Sequence, residues 1–179
     1  MKRRKIYYWD STVFIALLTG EEGRVDNVEQ ILEEAESGEV FIVTSSFTLV
    51  EVIKLKGKQP IKVEDQKKVT EFFEKDYFLF VDATRKITEA ARNLIWANPG
   101  LFPKDAVHLA SALEFQKREE LDCIHSYDDD FLVMNGKLPI PVQMPIPKEP
   151  MLAMKIPRSE KKAPRKAKRR RSIEIGDSN

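Results

Sequence analysis

Short apolar runs alternate with stretches of helical periodicity along most of this chain, and that alternation restricts its fold more than any other feature. Lys5 to Trp9, Val40 to Thr44, Tyr77 to Val81 and Cys123 to Ser126 read as strands, with Pro141 to Met144 as a fifth at an edge, where proline is tolerated. Between them the apolar residues fall at helical spacing. Val13, Phe14, Leu17 and Leu18 follow Ser11, a good helix cap, until Gly20 stops the turn. Val28, Ile31, Leu32 and Ala35 mark a second helix over 24–37, and Ser45 or Ser46 can cap a third that runs to about Lys56. Further helices are expected over 62–74, over 84–97 and from Pro103 to about Lys117. Short strands that are apolar on both faces need a helical layer on each side. The expected fold class is therefore α/β, a parallel sheet between two helical layers.

A chain of 179 residues can build one such core without disulfides, and its single cysteine, Cys123, excludes an intrachain bridge. That thiol sits in an apolar run and reads as buried and inert, in keeping with a reducing compartment. The basic opening Lys2-Arg3-Arg4-Lys5 leads into an apolar run that breaks at Asp10, which is not the pattern of a secretory leader. No apolar stretch reaches the roughly 20 residues of a membrane span. A cytoplasmic protein without a membrane partner is the expectation.

The net charge of +1 conceals two unlike parts: residues 1–154 carry −6 and residues 155–179 carry +7. The expected organisation is one enzymatic domain over 1–150 and a basic tail, disordered when free, over 151–179. Within the tail, Lys161, Lys162, Arg165, Lys166, Lys168, Arg169, Arg170 and Arg171 could grip a phosphate backbone, act as a nuclear-import-like run, or simply keep the protein soluble. The first reading is preferred.

Four acids sit where apolar segments end or turn. Asp10 closes the first strand, Glu51 lies within Phe47-Thr48-Leu49-Val50-Glu51-Val52-Ile53, Asp105 opens the helix after Pro103, and Asp128 follows the fourth strand. A carboxylate on an apolar element is costly to bury alone. No arginine or lysine stands at helical or strand spacing to neutralise each one, so an external cation is expected to do so. Two like charges about 4 Å apart repel by roughly 4 kcal/mol at an effective dielectric near 20. An all-oxygen site suits a hard ion, magnesium first and manganese as the alternative, and phosphate esters are its natural substrates. In open parallel sheets ligands bind beyond the carboxyl ends of the strands, where these acids could meet.

The flanks of the acids carry a resemblance. Ile6-Tyr7-Tyr8-Trp9-Asp10-Ser11-Thr12, Thr44-Ser45-Ser46-Phe47-Thr48-Leu49-Val50-Glu51, Pro103-Lys104-Asp105-Ala106-Val107-His108-Leu109-Ala110 and Ser126-Tyr127-Asp128-Asp129-Asp130-Phe131 stand in the order and spacing of a PIN domain. The region 5–146 resembles the VapC-type toxins of toxin–antitoxin pairs. That resemblance implies a PIN-like three-layer fold and a magnesium-dependent endoribonuclease with RNA as substrate. It makes Asp10, Glu51, Asp105 and Asp128 the catalytic and metal-binding acids, with Asp130 as an additional or rival ligand. It gives Ser11 and Ser126 the task of orienting ligands. It also implies a cognate antitoxin, inserting a basic side chain into the acidic cleft, and a homodimer.

Other residues have blander readings. His108, one turn after Asp105 on the same helix face, could orient an acid or contact RNA, but it and His125 are expected to be core histidines, and Trp9 and Trp96 core indoles rather than base-stacking platforms. Asp129 is expected to be solvated. The competing function is a catalytically idle PIN-like module that binds RNA. A haloacid-dehalogenase-type phosphatase would want an aspartate where Thr12 stands.

Overall fold

The strands order as β3-β2-β1-β4-β5, all parallel, so the first strand of the chain is the centre of the sheet. The computed structural model describes residues 3–53 and 63–146. They fall within one unit, Met1–Lys148, and the tail lies outside them. The elements are β1 (Lys5–Trp9), α1 (Ser11–Thr19), α2 (Val25–Glu36), β2 (Val40–Ser45), α3 (Thr48–Glu51), α4 (Val63–Phe73), β3 (Phe78–Val81), α5 (Arg85–Ala97), α6 (Pro103–Gln116), β4 (Cys123–His125), α7 (Asp129–Leu132) and β5 (Val142–Gln143).

Alternation along β1 builds two cores. Ile6 and Tyr8 pack with Ile87, Ala91, Leu109 and Phe131 on the face covered by α5 and α6. Tyr7 and Trp9 pack with Phe14, Val28, Ile31 and Phe73 on the face covered by α1, α2 and α4. This is the three-layer α/β/α arrangement expected from strands apolar on both faces. The chain steps outward from β1 to β3, then returns past β1 to β4, and its helices change face at that return. A constant right-handed crossover requires this. The reversal leaves a crevice between the carboxyl ends of β1 and β4, the place where such sheets hold ligands.

Local chemistry sets the element ends. Gly20 takes a left-handed conformation (φ 62°) and its N–H closes α1 onto the carbonyls of Ala16 and Leu17. The Thr84 hydroxyl caps α5 through the Ile87 N–H, and Pro103 opens α6. Three expectations change. The cap of α1 is Asp10, whose side chain accepts from the N–H groups of Thr12 and Val13, and Ser11 is the first helical residue. The third helix, expected from 46 to 56, is the single turn α3 as far as Ile53, and residues 54–56 lie outside the described residues. Trp96, expected in the core, is 69% exposed and lies under the Arg92 guanidinium at 4.6 Å. It comes nine residues after the buried Ile87, half a turn round the helix from it.

Cys123 and His125 behave as expected of core groups. The Trp9 indole N–H donates to His125 Nδ1 at 3.1 Å, and His125 Nε2 lies 3.1 Å from the Cys123 sulfur. Burial pushes the Cys123 thiol up to about 12 and holds the His125 ring down at about 3. An unfolded histidine takes its proton near pH 6.5. The contribution of His125 to stability is thus fully present above that pH and is lost as pH falls toward 3. Ring ¹⁵N shifts of His125 are expected to stay those of an unprotonated imidazole from pH 8 down to 4, while the free energy of unfolding declines over the lower part of that range. Protonation of the folded protein's ring near pH 6 would refute the assignment.

Candidate active site

Asp10 is 2% exposed at the carboxyl end of the central strand, and both its oxygens are occupied. Oδ1 accepts from Thr12 N (3.0 Å), Thr12 Oγ1 (2.6 Å) and Val13 N (3.3 Å), and Oδ2 accepts from Ser126 Oγ (2.6 Å). The two hydroxyls also accept: Thr12 Oγ1 from Tyr127 N at 2.9 Å and Ser126 Oγ from Asp128 N at 3.0 Å. The first turn of α1 and the loop after β4 are thereby sewn together through one carboxylate. Burial raises the Asp10 carboxyl above its ordinary range, while the nearby His108 ring and the donors from Ser126, Thr12 and Val13 pull it down. Of the two serines expected to orient ligands, Ser126 donates to Asp10 Oδ2. The hydrogen bonds on the other oxygen come from Thr12 and Val13, while Ser11 is simply buried at the start of α1.

Glu51 ends α3 and stands 2.6 Å from His108 Nε2, through its Oε2. His108, 1% exposed on α6, has its Nδ1 2.9 Å from the Tyr8 hydroxyl of β1. A carboxylate only accepts, so Nε2 carries the proton and Nδ1 can accept from Tyr8. Burial pushes the Tyr8 phenol well above its ordinary range, which keeps it a donor. The turn bearing Glu51 is fixed from the other side as well. Thr44 Oγ1 donates to the Trp9 carbonyl at 2.8 Å and pairs with Thr48 Oγ1 at 2.7 Å, at the start of α3.

Asp105 and Asp128 share a cation. Lys104 Nζ stands 2.9 Å from Asp105 Oδ1 and 3.1 Å from Asp128 Oδ2. The expectation that no lysine or arginine neutralises these acids is therefore corrected. Lys104 sits beside Asp105 in sequence, where neighbours on a helix do not normally face each other, and Asp128 reaches it from a separate segment. Burial raises the Asp105 carboxyl, Lys104 opposes this, and Asp128 adds to it. Burial acts to lower the Lys104 ammonium, yet its hydrogen bonds to Asp105 and Asp128 hold it above its ordinary range. The other oxygen of Asp105, Oδ2, is buried with no hydrogen-bond partner among the described residues. Asp128 caps α7 by accepting the Asp130 N–H at 3.0 Å. Asp129 and Asp130 are exposed.

Among the described residues no group of three or more His, Cys, Asp and Glu side chains stands ready to hold a metal ion. Magnesium does not require one, since it keeps several waters and binds through one or two carboxylates plus substrate phosphate. Asp105 and Asp128 already share one cation, and a buried Asp105 oxygen lacks a donor. That pair fits a hard divalent ion. A largely apolar hollow of about 630 Å³, lined by Leu49, Ile53, Val69 and Phe73 among others, includes none of the four acids. Lys161, Lys162, Arg165, Lys166, Lys168, Arg169, Arg170 and Arg171 lie outside the described residues.

Sequence reasoning missed Thr12 and Lys104. Helix spacing offered His108 as a residue that could orient an acid, through its place one turn from Asp105, and the acid it holds is Glu51. Replacing His108 with alanine is expected to cost about 3 kcal/mol of stability, because a buried phenol and a half-buried carboxylate lose their bond at once, against about 1 kcal/mol for Tyr8→Phe. Urea denaturation of the two variants checks this, and equal losses would refute the anchor.

The sequence model of the PIN domain matches residues 7–137, which include all four acids and end before β5. A chain in the crystal structure of VapBC2 from Rickettsia felis, bound to a DNA fragment from their promoter, has a similar fold. Its TM-score is 0.52 at 18% sequence identity, over 77% of this chain and 96% of that one. No curated protein sequence matches the chain. With nearly three quarters of its length under the family model and the three-layer parallel sheet that goes with it, the chain belongs to the PIN-domain family.

Proposed function

We propose that this protein is a divalent-metal-dependent endoribonuclease and the toxin of a toxin–antitoxin pair. The observation that carries the reading is the pair of buried Asp105 and half-buried Asp128 at the carboxyl edge of the sheet, one of whose oxygens lacks a donor, beside a third acid, Asp10, held rigidly by hydroxyls and backbone N–H groups. Membership of the PIN family supports nuclease chemistry. The neighbouring VapBC2 structure supports an antitoxin partner.

Asp105 and Asp128 would hold a magnesium or manganese ion, with Asp10 and Glu51 completing the acidic surround and Asp130 at its rim. Such an ion lowers the pKa of a bound water and neutralises charge on a phosphodiester. The protein's own work is positional. Thr12 and Ser126 keep the Asp10 oxygens in one orientation, and His108 keeps Glu51 on the site rather than in solvent. An antitoxin could close this site with a basic side chain, because the Asp105–Asp128 pair already accepts an ammonium. The homodimer remains part of the proposal, as do the boundaries at 150 and 151. The idle RNA-binding module is the second reading; it is favoured only if the wild-type protein binds RNA without cleaving it.

Purified wild-type protein is expected to cleave single-stranded RNA with magnesium and not in excess EDTA. Asp10→Asn, which keeps an oxygen to cap α1, is expected to lose at least a hundredfold in rate with an unchanged circular dichroism spectrum. Cleavage at wild-type rate by that variant would sink the mechanism. For the tail, deletion of residues 155–179 is expected to lower the slope of log affinity against log salt for RNA, by about 0.7 per lost phosphate contact. An unchanged slope would leave the tail with no part in gripping RNA.

A further inference from the structure

We propose that Lys104 is a built-in cation that occupies the ion's place between Asp105 and Asp128, so that a divalent metal must displace it before the site can work. The inference rests on the metal-dependent reading above and concerns the regulation of that site.

The two carboxylates belong to different elements, Asp105 to the first turn of α6 and Asp128 to the cap of α7, and the Lys104 ammonium is what joins them. Its pairing is incomplete. Lys104 reaches Oδ1 of Asp105 and leaves the buried Oδ2 without a partner among the described residues. A bridge serving stability alone gains little from leaving a buried carboxylate oxygen unsatisfied, whereas a place-holder need only offset part of the negative charge. The mobility of the partners is unequal too. The Lys104 side chain is 44% exposed and its ammonium rides on four flexible carbons, while the Asp105 side chain is 3% exposed and fixed. The lysine can swing to water without disturbing the core; the aspartate cannot.

Two consequences follow from competition for one place. The apparent metal affinity is lowered by the fraction of molecules in which Lys104 has left. Conversely, in the metal-free protein Lys104 offsets one of the two negative charges and eases the repulsion between Asp105 and Asp128. An internal cation of this kind sets the metal concentration at which the site switches on.

The test is calorimetric titration of the full chain with manganese chloride alone, comparing wild type, Lys104→Met and Lys104→Arg, with thermal melts in EDTA alongside. Lys104→Met is expected to bind manganese about tenfold more tightly, and Lys104→Arg no more tightly than wild type. In EDTA the methionine variant should melt lower than wild type, and added metal should raise its melting temperature by more. A purely structural bridge predicts the lower melting temperature without the tighter binding, so equal or weaker binding by Lys104→Met overturns the proposal. Should that variant not fold, lysine ¹⁵N resonances of the wild type give the answer. Magnesium is expected to move the Lys104 Nζ signal to that of a solvated ammonium, and saturation with metal that leaves it unmoved refutes displacement. If wild type binds neither magnesium nor manganese, the metal-dependent reading itself fails, which is a different result from binding that Lys104 does not influence.

Discussion

Everything at the carboxyl edge of this sheet is arranged around one buried carboxylate. Asp10 ends the central strand, so its position is fixed by pairing with β2 on one side and β4 on the other. Burying it calls for donors on both oxygens. Those donors come from the first turn of α1 and the loop after β4, and each hydroxyl that serves the acid also accepts a backbone N–H from that loop. The group that looks like the costliest element of the structure is thus what closes the crevice between β1 and β4. The same strand end is tied to β2 through the Trp9 carbonyl and Thr44, and from Thr44 to the turn that carries Glu51. Site and scaffold share their hydrogen bonds, so the acids cannot shift independently.

The fold was legible because its signal is repeated. Each strand and each long helix announced itself through periodicity, and the parallel three-layer arrangement followed from strands apolar on both faces. What escaped was local or came from separate segments. Four-residue α7 is too short to show a period, and α3 is a single turn whose apolar continuation invited a longer reading. Trp96 was assigned by residue type when its place on the helix wheel, opposite Ile87, put it outside. Asp10 was read as a site residue and Ser11 as the cap, although an aspartate directly before a helix can do both jobs at once.

The candidate site was legible as a set of acids but not as a set of partners. Residue type and strand-end position pointed to Asp10, Asp105 and Asp128, because carboxylates in apolar surroundings stand out. Ser126 and His108 could be suspected of orienting something, but which acid each serves shows only in three dimensions: Ser126 lies more than a hundred positions from Asp10 and His108 on a helix remote in sequence from Glu51, while Thr12, two positions from its acid, drew no notice as a partner. Lys104 was hidden for the opposite reason. It lies next to Asp105, and adjacency on a helix ordinarily separates two side chains. The first turn of α6 lets it fold back, and Asp128 supplies the second anchor.

The partners also grade the acids by how readily each could change its company. Asp10 is held by neutral donors fixed in the backbone and in short side chains, which cannot leave without unravelling the cap of α1. Glu51 is held by a buried imidazole that is itself held by Tyr8, so its partner has nowhere to go. Asp105 and Asp128 are held by a flexible, partly exposed ammonium that leaves one buried oxygen unserved. Removing Asp10's donors or Glu51's imidazole would strand a partly or wholly buried carboxylate with nothing to replace them. Exchanging the ammonium for another cation would not, since a positive charge stays between the two acids throughout. A site meant to exchange a cation with solvent needs rigid acids and one loosely held positive charge, and the placement of these side chains divides those tasks among separate residues.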